Sequence, residues 1–574
     1  MLRINHILGR PYSVPLLLLT LAGITPALAQ TPANTELDAQ ELIRQQERER
    51  VLRQQQEQAS DVRLDRPALT EAERLPTQES PCFPIQEIRL EGEGAERFRW
   101  ALAAANPATD PAIGRCLGTE GINRVMKRIQ NAIVNKGFVT TRVLAQSQDL
   151  RPGTLTLTLI PGRLRAIRLA EGTNGRARTW NAVPARSGDL LNLRDIEQGL
   201  ENFKRVPTAE ADMEILPAEG AGTIPGESDL LIRYQQGFPL RVTLTADDAG
   251  SKATGKRQGG ITISYDNALT LNDLFYVNWN QSLTSEPGTN GTHNHTIHYS
   301  IPFGYWLLGI TTSNSSYYQT VAGANQNYIY RGKSSNNEIR LSRLVYRDAS
   351  RKTTVWGRGW TRRSNNFIDN TEVEVQRRRM AGWEMGLGHR EFLGKATLDG
   401  NLAYRRGTGA LRSLPAPEEN FGEGTSRPHL IVADAQLNLP FSLGGQSLRY
   451  LGTWRAQWND SPLVPQDRFS IGGRYTVRGY DGETVLSAER GWLVRNDLGL
   501  LFSGQELYLG IDYGEVSGQS ARNLVGNTLG GAVIGLRGAY RGFGYDFFVG
   551  QPTKHPDRFK TSGTTAGFSV NFQF

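Results

Sequence analysis

The chain has 574 residues and a formal net charge of +8, enough for several domains. Its 62 glycines, about 11% against an average near 7%, gather in the C-terminal half beside tyrosine, tryptophan and asparagine. That composition suits a long antiparallel β structure with many turns and argues against a Rossmann-type or helical enzyme.

Residues 1–29 read as a secretory signal. Arg3 and Arg10 give a positive start, VPLLLLTLAGI is a short apolar core, and Ala27-Leu28-Ala29 is a small-residue cleavage site before Gln30. The core is shorter than the roughly 20 residues a membrane-crossing helix needs, and no other stretch is apolar enough. Only two cysteines, Cys82 and Cys116, are present. In an exported protein the pair most simply forms one disulfide; the alternative is two unconnected buried thiols.

Residues 30–58 contain TELDAQELIRQQERERVLRQQQEQAS, which predicts a helix with Thr35 as its cap and Asp38 three residues on. Its apolar residues are few: Leu37, Leu42, Ile43, Val51 and Leu52. A helix polar nearly all round does not pack into an ordinary core. It is either a solvated leader or a helix lying in a polar channel. Residues 59–80 read as a flexible linker.

Residues 81–162 form a small mixed domain. FPIQEIRLEG, FVTTRVL and GTLTLTLIPG predict strands. Between the first two, Ile122, Val125, Met126, Ile129 and Ile133 recur at helical spacing, with Gly137 at the C-terminal cap. Residues 163–237 repeat the outline: LRAIRLAEG, a helix over LRDIEQGLENFKRV, then ADMEILPA and SDLLIRYQQ. Two tandem β-α-β-β units suit an interaction platform or spacer, and neither carries a catalytic cluster.

From residue 238 to 574 the period changes to strict alternation. In ATLDGNLAYR, Leu398, Leu402 and Tyr404 oppose Asp399, Asn401 and Arg405. In LRYLGTWRAQW, Leu448, Tyr450, Trp454 and Trp458 oppose Arg449, Arg455 and Gln457. The chain ends FSVNFQF, with Phe568, Val570, Phe572 and Phe574 on one face. So many alternating segments exceed the needs of a soluble sandwich and fit a transmembrane barrel, apolar toward lipid and polar toward the lumen. At roughly 20 residues per strand and connection, the segment holds about 16 strands.

Several short motifs have ordinary readings. GSKATGKR at 250–257 nearly spells a phosphate-binding loop, but Arg257 replaces the Ser or Thr that would hold Mg²⁺, and a strand follows in place of a helix. It reads as a charged turn. His293, His295 and His298 lie close in sequence without a neighbouring carboxylate or cysteine, and read as polar strand-end residues, not a metal site. The basic run at Arg377–Arg379 is expected at the lumen or the membrane edge. No Ser-His-Asp, Cys-His or paired-carboxylate arrangement supports catalysis.

The combination of signal, polar helix, linker, two small repeats, barrel and GGRYTVRGY resembles the two-partner secretion transporters (TpsB type), the haemolysin secretion/activation family of the POTRA-plus-barrel superfamily. GRCLGTEGIN, GFVTTRV, QDLRPGTLTL and IPG resemble a first POTRA unit, and QGGITISYDNALTLND resembles a barrel entry. The resemblance covers almost the whole mature chain. It implies a fold of α+β periplasmic repeats followed by an all-β transmembrane barrel with an N-terminal plug helix. The repeats become POTRA 1 (81–162) and POTRA 2 (163–237). Val477, Arg478, Gly479 and Tyr480 match the tip of the long sixth loop. LYLGIDYGEV matches the wall motif, so Asp512 is the implied partner of Arg478, with Gly510 and Gly514 leaving room for the loop. Local alternation agrees: Leu507, Leu509, Ile511 and Tyr513 share one face, and Tyr508, Gly510, Asp512 and Gly514 the other.

The implied function is an outer-membrane pore, not an enzyme. It would recognise one large exoprotein in the periplasm through its POTRA units and secrete it unfolded. No cofactor, metal or nucleic acid is implied. Outer-membrane lipids surround the barrel, and the last strand, ending at Phe574, serves as insertion signal for the barrel assembly machinery. The alternative is an insertase that assembles other outer-membrane proteins, which usually carries more POTRA units.

Overall fold

The structure, a computed structural model, describes residues 34–57, 60–64, 74–173, 175–220, 222–283, 288–323 and 325–574. The expected signal over 1–29 lies outside these residues, as does the centre of the expected linker.

The first periplasmic unit is a three-stranded sheet with the last strand in the middle. Glu87–Glu91 runs parallel to Thr154–Ile160, and Arg142–Leu144 pairs antiparallel on the other side. Helix Thr119–Asn135 lays Val125, Ile129 and Ile133 against Leu155, Leu157 and Leu159, all fully or almost fully buried. Its N-terminus is capped from outside: the amides of Gly118, Glu120 and Gly121 donate to the Glu79 carboxylate, as an anion at a helix N-terminus should be held. Cys82 and Cys116 form the expected disulfide, with Cα atoms 5.3 Å apart.

One local expectation fails, and one element was not foreseen. FVTTRVL is a strand only over Arg142–Leu144. Val139 leaves the sheet to bury in the core of the second unit, and Thr140 packs against Gly162, where a Cβ would come within 2.0 Å of its hydroxyl. Ala95–Ala105 forms a 3₁₀ helix with Phe98, Ala101 and Ala105 buried. Its uncapped start at the left-handed Gly94 offers little sequence signal.

The second unit repeats the topology. Arg163–Leu169 is parallel to Glu227–Gln236, with Ala209–Pro217 antiparallel beside it. Helix Leu193–Lys204 is capped by Asn192, whose side chain accepts from the Arg194 amide. This unit docks on the near end of the barrel. Asn202 donates through Nδ2 to Gly304 O at 2.8 Å, and Asn181 to Leu271 O at 2.6 Å. Tyr305 donates to Asp195. Burial in this joint raises the Asp195 carboxyl above its usual range, only partly offset by the Tyr305 hydroxyl.

The flexible linker expected over 59–80 is tied down at both ends. Val62 and Leu64 are buried in the second unit's core. Their amides donate to Glu201 and Glu197 at 2.9 and 3.0 Å, while Arg347 of the barrel holds Val62 O at 2.6 Å. Lys352 pairs with Asp61 at 2.7 Å. At the other end Leu75 sits in the first unit's core, and its amide donates to Asp110 at 2.8 Å.

Sixteen antiparallel strands close into a barrel, from Leu240–Asp247 to Thr565–Gln573, with the last paired on the first over Ser569↔Asp247 to Gln573↔Thr243. A two-residue piece, Thr371–Glu372, extends one hairpin. The faces follow the alternation. Leu402, Trp458, Leu509 and Ile511 are exposed outward, while Glu384 and Asp512 are buried inward. No described helix is long and apolar enough to cross a membrane; the crossing belongs to the strands.

Candidate functional site

The loop tip and the wall strand meet inside the barrel. Phe469–Ile471 pairs with Leu486–Ala488 as a short hairpin base, and the chain between them folds back onto the inner wall. Wall strand Gln505–Ser517 presents Asp512 inward, because alternate residues of a strand face opposite sides. Arg478 Nε lies 2.7 Å from Asp512 Oδ2 and Nη2 lies 2.8 Å from Oδ1. The Arg478 backbone amide adds a third bond to Oδ2 at 2.9 Å. This is a bidentate guanidinium–carboxylate pair with a backbone donor on the same acid.

The pair belongs to a larger charge network. Arg478 Nη2 also reaches Asp497 Oδ1. Arg537 bridges Asp497 and Glu506 at 2.9 and 2.8 Å, and Arg449 also pairs with Glu506. Arg495 stands 3.8 Å from Asp512. The Tyr508 ring lies 5.8 Å from the Arg478 guanidinium and 4.4 Å from that of Arg537, and its hydroxyl donates to Asp546 at 2.8 Å. Buried charges persist only when paired and hydrogen-bonded, and here Asp497, Glu506 and Asp512 each touch at least one arginine.

Shape fixes the rest of the tip. Val477 is fully buried in a cluster with Ile471, Leu493, Val516 and Leu529. Gly479 has φ +94°, and a Cβ there would meet Gln551 O at 2.5 Å, so glycine is required on both counts. The Tyr480 hydroxyl lies 2.8 Å from Gly530 O and 2.7 Å from Lys554 O. On the wall, a Cβ at Gly510 would come within 2.7 Å of Arg478 Nη2, and one at Gly514 within 3.0 Å of Val477. A side chain at either glycine would crowd the loop.

Sequence reasoning missed part of this site. Gly531, registered opposite Asp512 on the next strand, admits the Arg478 carbonyl, which a Cβ would overlap at 1.8 Å. Asp497 and Arg537 also went unseen. Their signal is modest: Asp497 faces inward on strand Arg490–Phe502, opposite Gly510, and would be found by extending the alternation to the neighbouring strand.

The N-terminal helix, Asn34–Gln56, lies inside the barrel. The polar-channel reading holds. At one end Glu41 accepts from Ser251 and Thr254 at 3.0 and 2.9 Å, and Arg44 donates to Gly482 O at 2.7 Å. In the middle Arg455 pairs with Glu47 at 2.5 Å and Arg48 with Asp247 at 3.3 Å. Toward the periplasmic units Arg53 pairs with Glu338 at 2.7 Å and Gln56 accepts from Ser264 at 3.0 Å. Asp38 accepts from Tyr317 and Gln466 on the wall and loop side; the side chain of Thr35 lies outside the description. A cavity of about 600 Å³ runs beside the helix, lined by Arg53, Glu338, Arg340 and Arg358 among others.

The remaining motifs fall as ordinary structure. Residues 250–257 are the turn between the first two barrel strands, and Lys252 N donates to Glu483 of the long loop at 3.0 Å. His298 faces the lumen between Thr311 and Ser300, whereas His293 and His295 are exposed. Among the described residues no group of three or more His, Cys, Asp or Glu is placed to hold a metal. The basic run divides: Arg378 is buried against Glu418, Arg377 pairs with Glu372 at the hairpin tip, and Arg379 is exposed. Phe574 is exposed at the end of the last strand, its amide donating to Val242 O at 2.9 Å.

Comparison with known proteins places this geometry. Residues 226–538 match the haemolysin secretion/activation protein ShlB/FhaC/HecB family, residues 83–162 match the ShlB-type POTRA domain, and residues 163–217 match a second POTRA family. The chain is 37% identical over 564 residues to the outer membrane transporter CdiB-2 of Burkholderia pseudomallei, covering 95% of each chain. It is 25% identical over 433 residues to the hemolysin transporter protein ShlB of Serratia marcescens, covering 74% of this chain and 73% of that one. Among solved structures it is similar to CdiB from Acinetobacter baumannii, with 31% identity, a TM-score of 0.82 and coverage of 96% of this chain and 100% of the other.

Proposed function

The chain belongs to the haemolysin secretion/activation (ShlB/FhaC/HecB) family of outer-membrane transporters, and we propose that it secretes one large exoprotein, captured unfolded in the periplasm, through its own barrel. In this reading residues 30–58 are a plug that leaves the lumen during transport and residues 59–80 tether it. POTRA 1 (81–162) and POTRA 2 (163–237) receive the substrate, and the barrel (238–574) conducts it. Arg478 and Asp512 hold the loop tip, with Val477, Gly479, Tyr480, Gly510 and Gly514 shaping its seat. Phe574 ends the strand that the assembly machinery reads.

One observation carries the proposal: a helix polar nearly all round lies in a charged lumen and is held there chiefly by polar side chains, not by an apolar core. Such contacts exchange with water at small cost, so the helix is removable where a packed core helix is not. Extended chains add readily to open sheet edges, and each three-stranded periplasmic sheet ends in two edge strands, of which Arg163–Leu169 is partly covered by residues 188–191.

The test is export of a candidate large exoprotein encoded beside this chain, with and without residues 30–237, the signal retained. Export that requires both the barrel and the N-terminal region supports the reading. Undiminished export without residues 30–237 contradicts it. General failure of outer-membrane assembly on depletion, with no candidate exported, transfers the role to an insertase.

A further inference from the structure

We propose that the outward face of five neighbouring strands, beyond the apolar band, binds the phosphate groups of the phosphorylated glycolipid, lipopolysaccharide, in the outer leaflet. The inference rests on the outer-membrane location and does not depend on which protein is exported.

The first barrel strand follows the periplasmic units, so the turn at Gly304–Tyr305 faces the periplasm and the strand ends at Asn290, Ala322, Asn327 and Ile368 face outward from the cell. The register then defines rows perpendicular to the strands from Asn290–Phe303 to Arg378–Leu393, and with the strand tilt these rows climb away from the periplasm: Ile301 lies two residues from the strand end at Phe303, Met385 eight from the strand end at Leu393. The row Ile301↔Leu308↔Leu341↔Gly357↔Met385 is wholly apolar, with Leu308, Leu341 and Met385 exposed. Three alternate positions further out comes His295↔Asn314↔Ser335↔Arg363↔Arg379. At a rise near 3.4 Å per residue and a tilt near 40°, that is roughly 15 Å along the membrane normal. Its high end, Arg363 and Arg379, lies 12 and 14 residues from the periplasmic strand ends at Arg351 and Leu393, and so reaches the outer headgroup level above the lipid-facing band. One step further, Lys333 stands in the row His293↔Ser316↔Lys333↔Asn365.

Charge distinguishes this patch from the rest of the wall. Inward-facing neighbours are neutralised: Arg362 pairs with Asp467 at 2.8 Å, and Arg378 with Glu418. The outward-facing Lys333, Arg363 and Arg379 are exposed and form no ion pair among the described residues; the acid beside them, Glu372, is taken by Arg377 at 2.7 Å and by Asn365 of the outer row. Arg363 and Arg379 stand directly opposite each other. Like charges in that position destabilise a sheet, unless an anion lies between them. Arginine forks and lysine match phosphate oxygens, and basic side chains at the headgroup level are attracted to anionic lipid.

The experiment uses the full mature chain purified in detergent, with lipopolysaccharide as probe and retained lipid counted by native mass spectrometry. Four arms are compared: wild type with intact lipopolysaccharide, wild type with the enzymatically dephosphorylated lipid, the triple variant Lys333→Gln/Arg363→Gln/Arg379→Gln, and Arg343→Gln, an outward arginine at the periplasmic end of the same wall. Retention should fall at least tenfold in the triple variant and at least tenfold on dephosphorylation, and stay within twofold of wild type for Arg343→Gln. Equal retention by the triple variant, or of the dephosphorylated lipid, overturns the proposal. So does an equal loss in Arg343→Gln. If the triple variant fails the heat-modifiability test for a closed barrel, the two wild-type arms decide. A triple variant that keeps its lipid but loses binding to the exoprotein or to a second copy also overturns the proposal, assigning the face to a protein partner.

Discussion

Arg478 and Asp512 are joined by three bonds, two from the guanidinium at 2.7 and 2.8 Å and one from the Arg478 amide at 2.9 Å. Loop position and wall position are thereby fixed together, since the carboxylate reads both the side chain and the backbone of the loop tip.

Truncating either partner leaves the other buried without its main counter-charge, a loss of about 3–5 kcal/mol. That is a shift of roughly 100-fold or more in the docked fraction of the loop. Arg478→Ala and Asp512→Ala should each strongly reduce export while the barrel still inserts and shows heat-modifiable migration. The double variant should lose less than the sum of the two, because both act through one interaction. Normal export by both single variants removes the loop tip from the mechanism.

Gly531→Ala tests shape without touching charge. The added methyl overlaps the Arg478 carbonyl, and overpacking of this kind typically costs about 1–3 kcal/mol. Hydrogen exchange across residues 477–480 should quicken by roughly tenfold, while exchange in the strand Trp306–Ala322 stays as in wild type. Unchanged exchange at the tip shows that the wall yields locally.

Removing two anchors of the lumenal helix should open the pore. Arg53→Ala and Arg455→Ala break the pairs with Glu338 and Glu47. Partly solvated pairs contribute up to about 1 kcal/mol each, so the double variant should raise the open fraction in planar-bilayer recordings by roughly tenfold. Conductance identical to wild type contradicts a helix held by these pairs.

The attachment of Leu75 to the first periplasmic unit should be sensitive to acid. The Leu75 amide, and then Arg128 and Arg115, hold the Asp110 carboxyl below its usual range. A depressed folded-state pKa stabilises above the unfolded value near 4, and the contribution is lost as pH falls through the folded value. Protection of the Leu75 amide, corrected for intrinsic exchange, should be flat from about pH 8 to 5 and fall below about pH 4. In Asp110→Asn it should be low throughout, without the acid step.

Much of this was legible because strand alternation is written residue by residue. Leu509, Ile511 and Asp512 were placed on the right faces from sequence alone, and the polarity of residues 34–56 already pointed to a wet channel. The tether was misread because its anchors, Val62, Leu64 and Leu75, are isolated apolar residues in a polar run; their partners come from domains distant in sequence. Val139 was misplaced for the same reason: local propensity favours a strand, and burial in the neighbouring unit overrides it. Gly531 and Asp497 carry no local motif, and their roles arise only when three strands are set in register.

The central claim is that the exported chain passes through this lumen. It is tested most directly by placing a photo-crosslinking residue at Arg358, which lines the cavity beside the helix, and at Leu509, which faces outward, and illuminating during export. The exoprotein should be captured from position 358 and not from position 509. Continued export with no capture from position 358 or other lumenal positions would contradict the account.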